Sequence, residues 1–381
     1  MTEKLYDANA YLKTFTAQVL SCEPVKDGYA VILNRTAFYP EGGGQSCDLG
    51  VLGGLRVTDV QERGGEVIHT VPGPLAGEVE GVIDFDRRFD LMQQHSGEHL
   101  VSGLVHSRFG YENVGFHMGK ELITIDFDGV LTWEQLQDIE LAANRAIWAN
   151  LETQITVYPS ADACQSFYRS KKEIEGPLRV VSFPGVDACA CCGTHVARTG
   201  EIGLVKLLSV VKFHQGVRVE LACGARAFGL FASIWQQNRE ISALLSAKPL
   251  QTAPAVERVL GELEQTKARA ASWESLALAR QAEHWAGLPE ILYITGDLGP
   301  DSLRRLAIAA MEQTGGRLAL FSGSDEAGYA YVLAQQGGDL RALTRALNEG
   351  LRGRGGGKPG FSQGRVAATA EEIRAFFAAL V

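Results

Sequence analysis

The sequence lacks the features of a secreted or membrane protein. Its first 20 residues mix Glu3, Lys4, Asp7 and Lys13 with isolated apolar residues, so the unbroken apolar segment of a signal peptide is missing. No later apolar run approaches the ~20 residues of a membrane-spanning helix. We therefore expect a cytoplasmic protein with no membrane partner.

Basic residues are outnumbered. Lys and Arg total 36 against 45 Asp and Glu, which gives a formal net charge of −9. A protein this acidic is not expected to coat nucleic acid nonspecifically, but a local basic site stays open. Two clusters qualify. The first, Arg169 with Lys171 and Lys172, we interpret as solvated loop residues, and the second lies near the C-terminus.

Cysteines are too unevenly placed for the disulfide framework of a small secreted domain. There are seven, an odd number, and four of them lie between Cys164 and Cys192. This pattern fits a reducing compartment and a metal-bound thiolate.

The first half of the chain changes pattern once. Short β-rich pieces separated by Gly, Pro and Asp turns predict a small β-barrel over residues 1–88. A helix is expected from Arg87, and a capping-box pattern at Thr132 with Gln135 predicts a second one. With strands between them, residues 89–224 are predicted to form an α+β domain.

The second half holds two further regions, since 381 residues exceed what one hydrophobic core usually serves. Residues 225–287 are rich in Ala, Leu, Glu, Gln and Arg and predict a helical connector, which we interpret as a spacer or a dimerising coil. Alternating strands and helices over residues 288–381 predict a small α/β domain with a glycine-rich loop. The connector and this domain are the candidate surfaces of a homodimer.

Two pairs of residues predict a metal site. His95 and His99 lie one helical turn apart, so both imidazoles can reach one ion. Cys191 and His195 form a C-x-x-x-H pair in a predicted turn. Three nitrogens and one thiolate make a tetrahedral set, and mixed imidazole and thiolate ligation favours zinc, one ion per chain, over iron or copper.

Two alternatives remain at this point. Cys189 and Cys192 compete with Cys191 for the thiolate position, and spacing alone does not choose among them. The same helix also satisfies H-x-x-E-H, the inverted zinc-peptidase pattern in which Glu98 would be the general base. Such a peptidase takes a carboxylate as its third ligand, whereas the downstream signal here is a cysteine and a histidine.

Taken together, these motifs resemble the AlaX-type alanyl-tRNA editing proteins, freestanding relatives of the editing half of alanyl-tRNA synthetase. The family's signatures are a histidine pair on a helix, a Cys-x-Gly-Thr-His segment, a barrel motif and a short segment after the metal turn. They are matched by His95 with His99 and by residues 191–195, 38–50 and 200–203. The sequence departs from the family at Cys192, where glycine is usual, and at Glu98, where the synthetase form has threonine. Residues 353–364 resemble the glycine-rich signature of the DHH-associated domain, which implies the long form.

The resemblance implies a fold and a reaction. The fold is α+β multidomain: a translation-factor-like β-barrel, a two-layer α+β editing domain shared with threonyl-tRNA synthetase, and a terminal α/β module. The reaction is hydrolysis of the ester that joins serine, with glycine as a further substrate, to tRNA(Ala). Only about ten residues precede Tyr11, too few for an activation motif, so the chain is expected to edit without charging.

Candidate pocket residues follow from what the reaction requires. Accepting serine while rejecting alanine needs a polar group that alanine leaves unpaired. Gln45, His117 and Thr194 are the candidates for that contact, each with a structural role as the alternative, and Glu98 is a candidate base beside the metal.

The C-terminal segment is the candidate tRNA contact. Glycines expose backbone N–H groups and nearby cations supply charge, a composition suited to phosphate. The predicted contact residues are Arg352, Arg354, Lys358, Gly355, Gly356 and Gly357.

A third possibility for the whole chain is a non-catalytic tRNA-binding protein whose zinc is structural.

Overall fold

The computed structural model describes residues 1–170 and 173–380, so Lys171 and Lys172 of the first basic cluster lie outside the described residues. The chain divides into two compact units, Met1–Glu240 and Ile241–Val381. Both combine helices with sheets, which confirms the predicted α+β multidomain class. Among the described residues, no helix is both long and apolar enough to cross a membrane.

The first unit begins with a nearly closed sheet. Its elements are β1 (Glu3–Lys4), α1 (Leu5–Ala8), β2 (Thr14–Val25), β3 (Gly28–Leu33), β4 (Arg35–Thr36), β5 (Gly50–Leu52), β6 (Leu55–Val57), β7 (Asp59–Arg63), β8 (Glu66–Val71) and β9 (Glu78–Ile83). Seven strands pair in the order β6-β5-β9-β2-β3-β8-β7. The ends of the sheet approach each other where the Thr58 N–H donates to the Thr70 carbonyl at 2.9 Å. Alternate side chains such as Val31 and Leu33 point inward and are fully buried.

An α+β layer follows within the same unit. Its elements are α2 (Phe85–Phe109), β10 (Asn113–Met118), β11 (Ile123–Phe127), α3 (Trp133–Trp148), β12 (Gln154–Tyr158), β13 (Leu178–Phe183), β14 (Asp187–Ala190), β15 (Val205–Phe213) and β16 (Gly216–Cys223), with 3-10 turns at Ala161–Ala163 and Thr199–Ile202. The strands form a four-stranded sheet, β10-β11-β16-β15, and a three-stranded sheet, β12-β13-β14.

Local signals explain where the two helices of this layer begin. The Asp84 side chain accepts from the Arg87 N–H at 3.2 Å, so α2 starts at Phe85, two residues before the expected start. The predicted capping box of α3 is confirmed, because Thr132 and Gln135 each bond to the other's backbone N–H. Helix α2 packs against α3, β10, β14 and β16, and Leu91, Leu100 and Val101 are buried in the core.

A buried ion pair joins the barrel to α2. Asp48 lies in the loop between β4 and β5, and both of its carboxylate oxygens contact the fully buried guanidinium of Arg88. Arg88 also donates to the carbonyls of Ala10 and Ala37. These contacts fix the glycine-rich barrel loop, residues 41–45, relative to the helix that carries His95 and His99.

Helix α4 (Gly224–Leu244) begins in the first unit, and its residues from Ile241 onwards belong to the second. The second unit continues with a 3-10 turn (Pro249–Gln251), α5 (Thr252–His284), β17 (Glu290–Thr295), α6 (Pro300–Thr314), β18 (Arg317–Ser324), β19 (Gly328–Ala334), α7 (Arg341–Gly350), β20 (Arg354–Lys358), β21 (Phe361–Val366) and α8 (Ala370–Ala378). A five-stranded sheet, β17-β18-β19-β21-β20, forms its centre.

One expectation for this unit is wrong. Residues 354–358, predicted to lie in a glycine-rich loop, form the edge strand β20, which pairs with β21. The cause is close packing of backbones. A Cβ at Gly357 would collide with the Phe361 carbonyl, and one at Gly355 would crowd Tyr331 and Gln363. The glycines therefore permit a tight strand pair rather than a loop.

Candidate metal centre

The four predicted ligands converge in the first unit. One ligand atom from each of His95, His99, Cys191 and His195 lies within 4.8 Å of the others, and all but Cys191 are buried. The Cys191 sulfur is 3.5 Å from His95 Nε2 and 3.4 Å from His195 Nε2. The helix α2 supplies the first two ligands and the turn after β14 supplies the other two.

The far nitrogen of every histidine is held by another protein group. His95 Nδ1 donates to Gln45 Oε1 at 2.9 Å, and His99 Nδ1 donates to Asp187 Oδ2 at 2.9 Å. His195 Nδ1 lies 3.2 Å from Ser96 Oγ. With Nδ1 engaged in this way, each Nε2 is left for a metal, as in known metal sites where an outer partner fixes the ring. The donor set therefore fits a zinc ion.

Electrostatics in the cluster favour the ligand forms of Cys191 and His195. At His99 burial lowers the pKa, but the hydrogen bond to Asp187 outweighs burial and holds that pKa well above its ordinary value. Burial raises the pKa of the Cys191 thiol, but the neighbouring His95 and His195 rings, which hydrogen-bond to the sulfur, outweigh burial and hold that pKa well below its ordinary value. Burial lowers the pKa of His195 to about 3, so this ring is neutral. Thiolate and neutral imidazole are the forms that bind metal.

Geometry favours one of the three cysteines. The Cys189 side chain is buried and its Sγ lies 3.6 Å from the Ala190 carbonyl, and burial raises its pKa to about 11. Cys192 is exposed. The cluster that could hold a metal includes Cys191 alone of the three.

The metal turn depends on one glycine. A Cβ at Gly193 would collide with the His95 ring. The backbone of the turn is held by Arg179, whose Nη1 donates to the carbonyls of Cys191 at 2.7 Å and Gly193 at 3.2 Å. The turn can therefore approach α2 closely enough to place its two ligands beside the other two.

A cavity of about 340 Å³ opens beside the four ligands. Three of the ligands, His95, His99 and Cys191, line it. The other lining residues are both apolar and polar: Tyr39, Gly43, Glu98, Phe116, Arg169, Ser170, Ile174, Cys189, Ala190, Cys192 and Gly193. The Phe116 ring stacks on His95 with centroids 5.4 Å apart. A small side chain and an ester group would fit in a space of this size.

Of the four predicted pocket residues, Glu98 alone lines the cavity. Gln45 is fully buried behind His95, where its Oε1 also accepts from the Thr194 N–H at 3.2 Å and its Nε2 donates to Thr194 Oγ1 at 2.8 Å. Thr194 is 2% exposed and faces Gln45. His117 is exposed on the strand β10, whose Phe116 lines the cavity instead.

Glu98 is anchored at one oxygen. Its Oε1 accepts from Ser102 Oγ at 2.6 Å and from Asn113 Nδ2 at 2.5 Å. Its Oε2 lies 4.0 Å from His99 Nε2. The carboxylate is therefore fixed in a single orientation with one oxygen towards the ligands.

Several contributors were missed by sequence reasoning. Asp187, Ser96 and Arg169 support the ligands, and Phe116 forms a cavity wall. Strand alternation in β10 could have shown that Phe116 and His117 face opposite ways, and the need of a ligand histidine for a second partner could have drawn attention to Asp187.

The predicted tRNA-contact residues do not form one cluster. Arg352 is tied to Glu372 by bonds of 2.7 and 2.9 Å and donates to the Ala367 carbonyl. The three glycines and Lys358 line a cavity of about 510 Å³ with Arg341 and Arg345 of α7. Arg354 lines a different cavity, of about 650 Å³, together with Arg304 and Arg365.

Comparisons with known proteins relate this chain to tRNA synthetases. Residues 7–83 match the family described as class II (A) tRNA synthetases, and residues 178–220 match the threonyl and alanyl tRNA synthetase second additional domain. The second match includes Cys191 and His195. The chain thus shares sequence with tRNA synthetases and their additional domains.

Relatives that match over nearly the whole of this chain include alanyl-tRNA editing proteins. The chain is 28% identical to the alanyl-tRNA editing protein AlaX-L of Pyrococcus horikoshii, over 98% of this chain and 96% of that protein. It is 28% identical to the alanyl-tRNA editing protein Aarsd1-A of Xenopus laevis, over 94% of this chain and 92% of that protein. It is 32% identical to the alanine–tRNA ligase of Archaeoglobus fulgidus, of which it spans 42%. The predicted resemblance to the alanyl-tRNA editing proteins is confirmed.

Proposed function

We propose that this chain is a trans-editing deacylase that hydrolyses the ester of tRNA(Ala) mischarged with serine, with glycine as a further substrate. The observation that carries the proposal is a zinc-type donor set whose ligands open onto a cavity of about 340 Å³. The likeness to alanyl-tRNA editing proteins over nearly the whole chain supports the choice of substrate.

The metal in this proposal is one Zn²⁺, held by His95, His99, Cys191 and His195. When bound, zinc supplies Lewis-acid chemistry, which polarises an ester carbonyl or acidifies a water.

The chain's own residues perform the proton transfer. Water attacks the ester carbonyl carbon, and Glu98 Oε2 accepts its proton, since Oε1 is already occupied by Ser102 and Asn113. The bond to the ribose oxygen then breaks, and Glu98 returns the proton to that oxygen. Free amino acid and tRNA with a free terminal hydroxyl are the products. Phe116 and Ile174 give the cavity apolar walls.

A second candidate function rests on ligand number. Four protein ligands are what structural zinc sites use, whereas catalytic zinc usually keeps a position open. This observation favours a tRNA-binding protein with structural zinc, whereas the cavity beside the ligands and the Glu98 carboxylate that lines it favour catalysis.

A deacylation assay distinguishes these functions. Ser-, Gly- and Ala-tRNA(Ala) are incubated with the wild-type chain, with His99→Ala and with Glu98→Gln, and a peptide serves as control substrate. We expect hydrolysis of Ser-tRNA(Ala) and Gly-tRNA(Ala) to be much faster than that of Ala-tRNA(Ala). Glu98→Gln should keep its zinc but lose about 10²–10⁴-fold in rate, whereas His99→Ala should lose both.

Each contrary result has a meaning. Zinc-loaded protein that binds tRNA without deacylation would support the structural-zinc function. Cleavage of the peptide alone would support the H-x-x-E-H peptidase. A normal rate for Glu98→Gln would leave deacylation standing but remove Glu98 from the mechanism.

A further inference from the structure

A buried arginine is linked through one carboxylate to a predicted zinc ligand. Arg169 is 6% exposed, and its guanidinium makes a two-pronged contact with Asp187, from Nε to Oδ1 at 2.7 Å and from Nη2 to Oδ2 at 2.9 Å. The same Asp187 Oδ2 accepts from His99 Nδ1 at 2.9 Å. One carboxylate oxygen is therefore shared between a guanidinium and a metal ligand.

The backbone of Arg169 is held by hydrogen bonds as well as its guanidinium. Its backbone N–H donates to the Ala188 carbonyl at 2.8 Å, and its carbonyl accepts from the Ala190 N–H at 2.9 Å. These bonds hold Arg169 alongside β14, the strand on which Asp187 lies. Asp187 itself is tightly enclosed, because a Cβ at Gly103 of α2 would contact its side chain at 2.5 Å.

The two-pronged contact both stabilises and orients the Asp187 carboxylate. A buried carboxylate is costly unless it is paired, and a two-pronged guanidinium both neutralises the charge and fixes the plane of the carboxylate. With that plane fixed, Oδ2 stays on the His99 Nδ1–H, and His99 Nε2 is directed towards the other ligands. Outer partners of this kind commonly change metal affinity 10–100-fold when removed.

We propose that Arg169 is a positioning residue that sets the zinc affinity of the site by holding Asp187 against His99. This inference rests on the zinc site of the proposed function and does not depend on which substrate is hydrolysed. It also gives Arg169 a role other than that of the solvated loop residue expected from the sequence.

The test measures zinc affinity directly. Metal-free full-length protein is titrated with Zn²⁺ against a chromophoric chelator of known affinity. For Arg169→Met we expect a zinc dissociation constant about 10–100-fold above that of the wild type. Arg169→Lys keeps the charge but lacks the fork, so it should fall between the two.

A second arginine provides a matched control. Arg218 makes the same two-pronged contact with Asp126 within the same unit, at 2.6 and 2.8 Å, and neither of these bonds involves a zinc ligand. Arg218→Met should therefore leave zinc affinity at the wild-type value. Thermal unfolding of each metal-free variant reports any general loss of stability separately.

A double-mutant cycle tests the route through Asp187. If Arg169 acts only through Asp187, adding Arg169→Met to Asp187→Asn should change zinc affinity by less than about twofold. Full additivity of the two changes would overturn the inference, as would wild-type affinity in Arg169→Met. An absence of zinc binding in the wild-type protein would overturn the proposed metal site itself, which is a separate failure.

Discussion

The metal centre and the basic edge of the second unit gather polar residues in opposite ways. At the metal centre, two pairs of residues almost a hundred positions apart in the chain bring four ligand atoms within 4.8 Å of one another. At the edge, Arg352, Arg354 and Lys358 are near neighbours in sequence, yet one pairs with Glu372 and the other two line different cavities.

Backbone geometry explains the difference. Four residues along a helix rise only about 6 Å and return to the same face, whereas four residues along a strand cover about 13 Å. His95 and His99 lie on the helix α2, but Arg354 and Lys358 lie at opposite ends of the strand β20. Sequence proximity therefore predicts a shared site only when the local structure is known.

The largest expected effect is the loss of bound metal when Cys191 is replaced. Cys191→Ser should reduce bound zinc from about one ion per chain to almost none, because serine does not supply a thiolate. Elemental analysis of the purified protein measures this. Cys189→Ser and Cys192→Ser are the matched controls and should both keep their zinc.

A different outcome would reassign the ligand. Zinc retained in Cys191→Ser but lost in one of the controls would identify that control residue as the thiolate. Zinc retained in all three variants would mean that the histidines alone hold the ion, and the proposed four-ligand set would be wrong.

Much of this molecule could be predicted from the sequence. Apolar periodicity located the strands β8 and β13, the capping box located α3, and the spacing of two residue pairs located the four residues of the cluster that could hold a metal. These signals are local, so a single sequence carries them.

The supporting contacts could not be predicted in the same way. Gln45 contacts His95 across 50 positions, and Asp187 contacts His99 across 88. Such pairs depend on how the barrel loop and β14 pack on α2, which local spacing does not record. Strand alternation separates His117 from Phe116, but which of the two faces the cavity depends on that packing.

The second effect, of intermediate size, separates two roles of Gln45. As a substrate contact it would govern selectivity for serine over alanine, which remains a prediction. Its bond to His95 Nδ1 at 2.9 Å gives it the position of an outer partner of the metal ligand. We expect Gln45→Met, which matches its size but lacks the amide, to weaken zinc binding about 10–100-fold.

Two measurements on that variant decide between the roles. Chelator competition gives its zinc affinity, and the ratio of Ser-tRNA(Ala) to Ala-tRNA(Ala) hydrolysis at saturating zinc gives its selectivity. Weaker zinc binding with normal selectivity assigns Gln45 to positioning. Normal zinc binding with lost selectivity would restore the substrate contact and contradict the expectation from geometry.

The smallest expected effect concerns the basic edge and asks which of its two cavities meets tRNA phosphate. Arg345 and Lys358 line the cavity that also contains Gly355, Gly356 and Gly357, so charge and close backbone approach coincide there. The cavity around Arg304 and Arg354 has the cations without that glycine run. We therefore expect Arg345→Gln with Lys358→Gln to weaken tRNA binding by roughly tenfold at physiological salt and to lower the salt slope by about 1–2. Arg304→Gln with Arg354→Gln removes the same charge and should change both quantities less. Binding isotherms at several salt concentrations measure the slopes. A larger change in the second pair would move the tRNA contact to the other cavity, and equal slopes in the wild type and both pairs would remove β20 from the tRNA site.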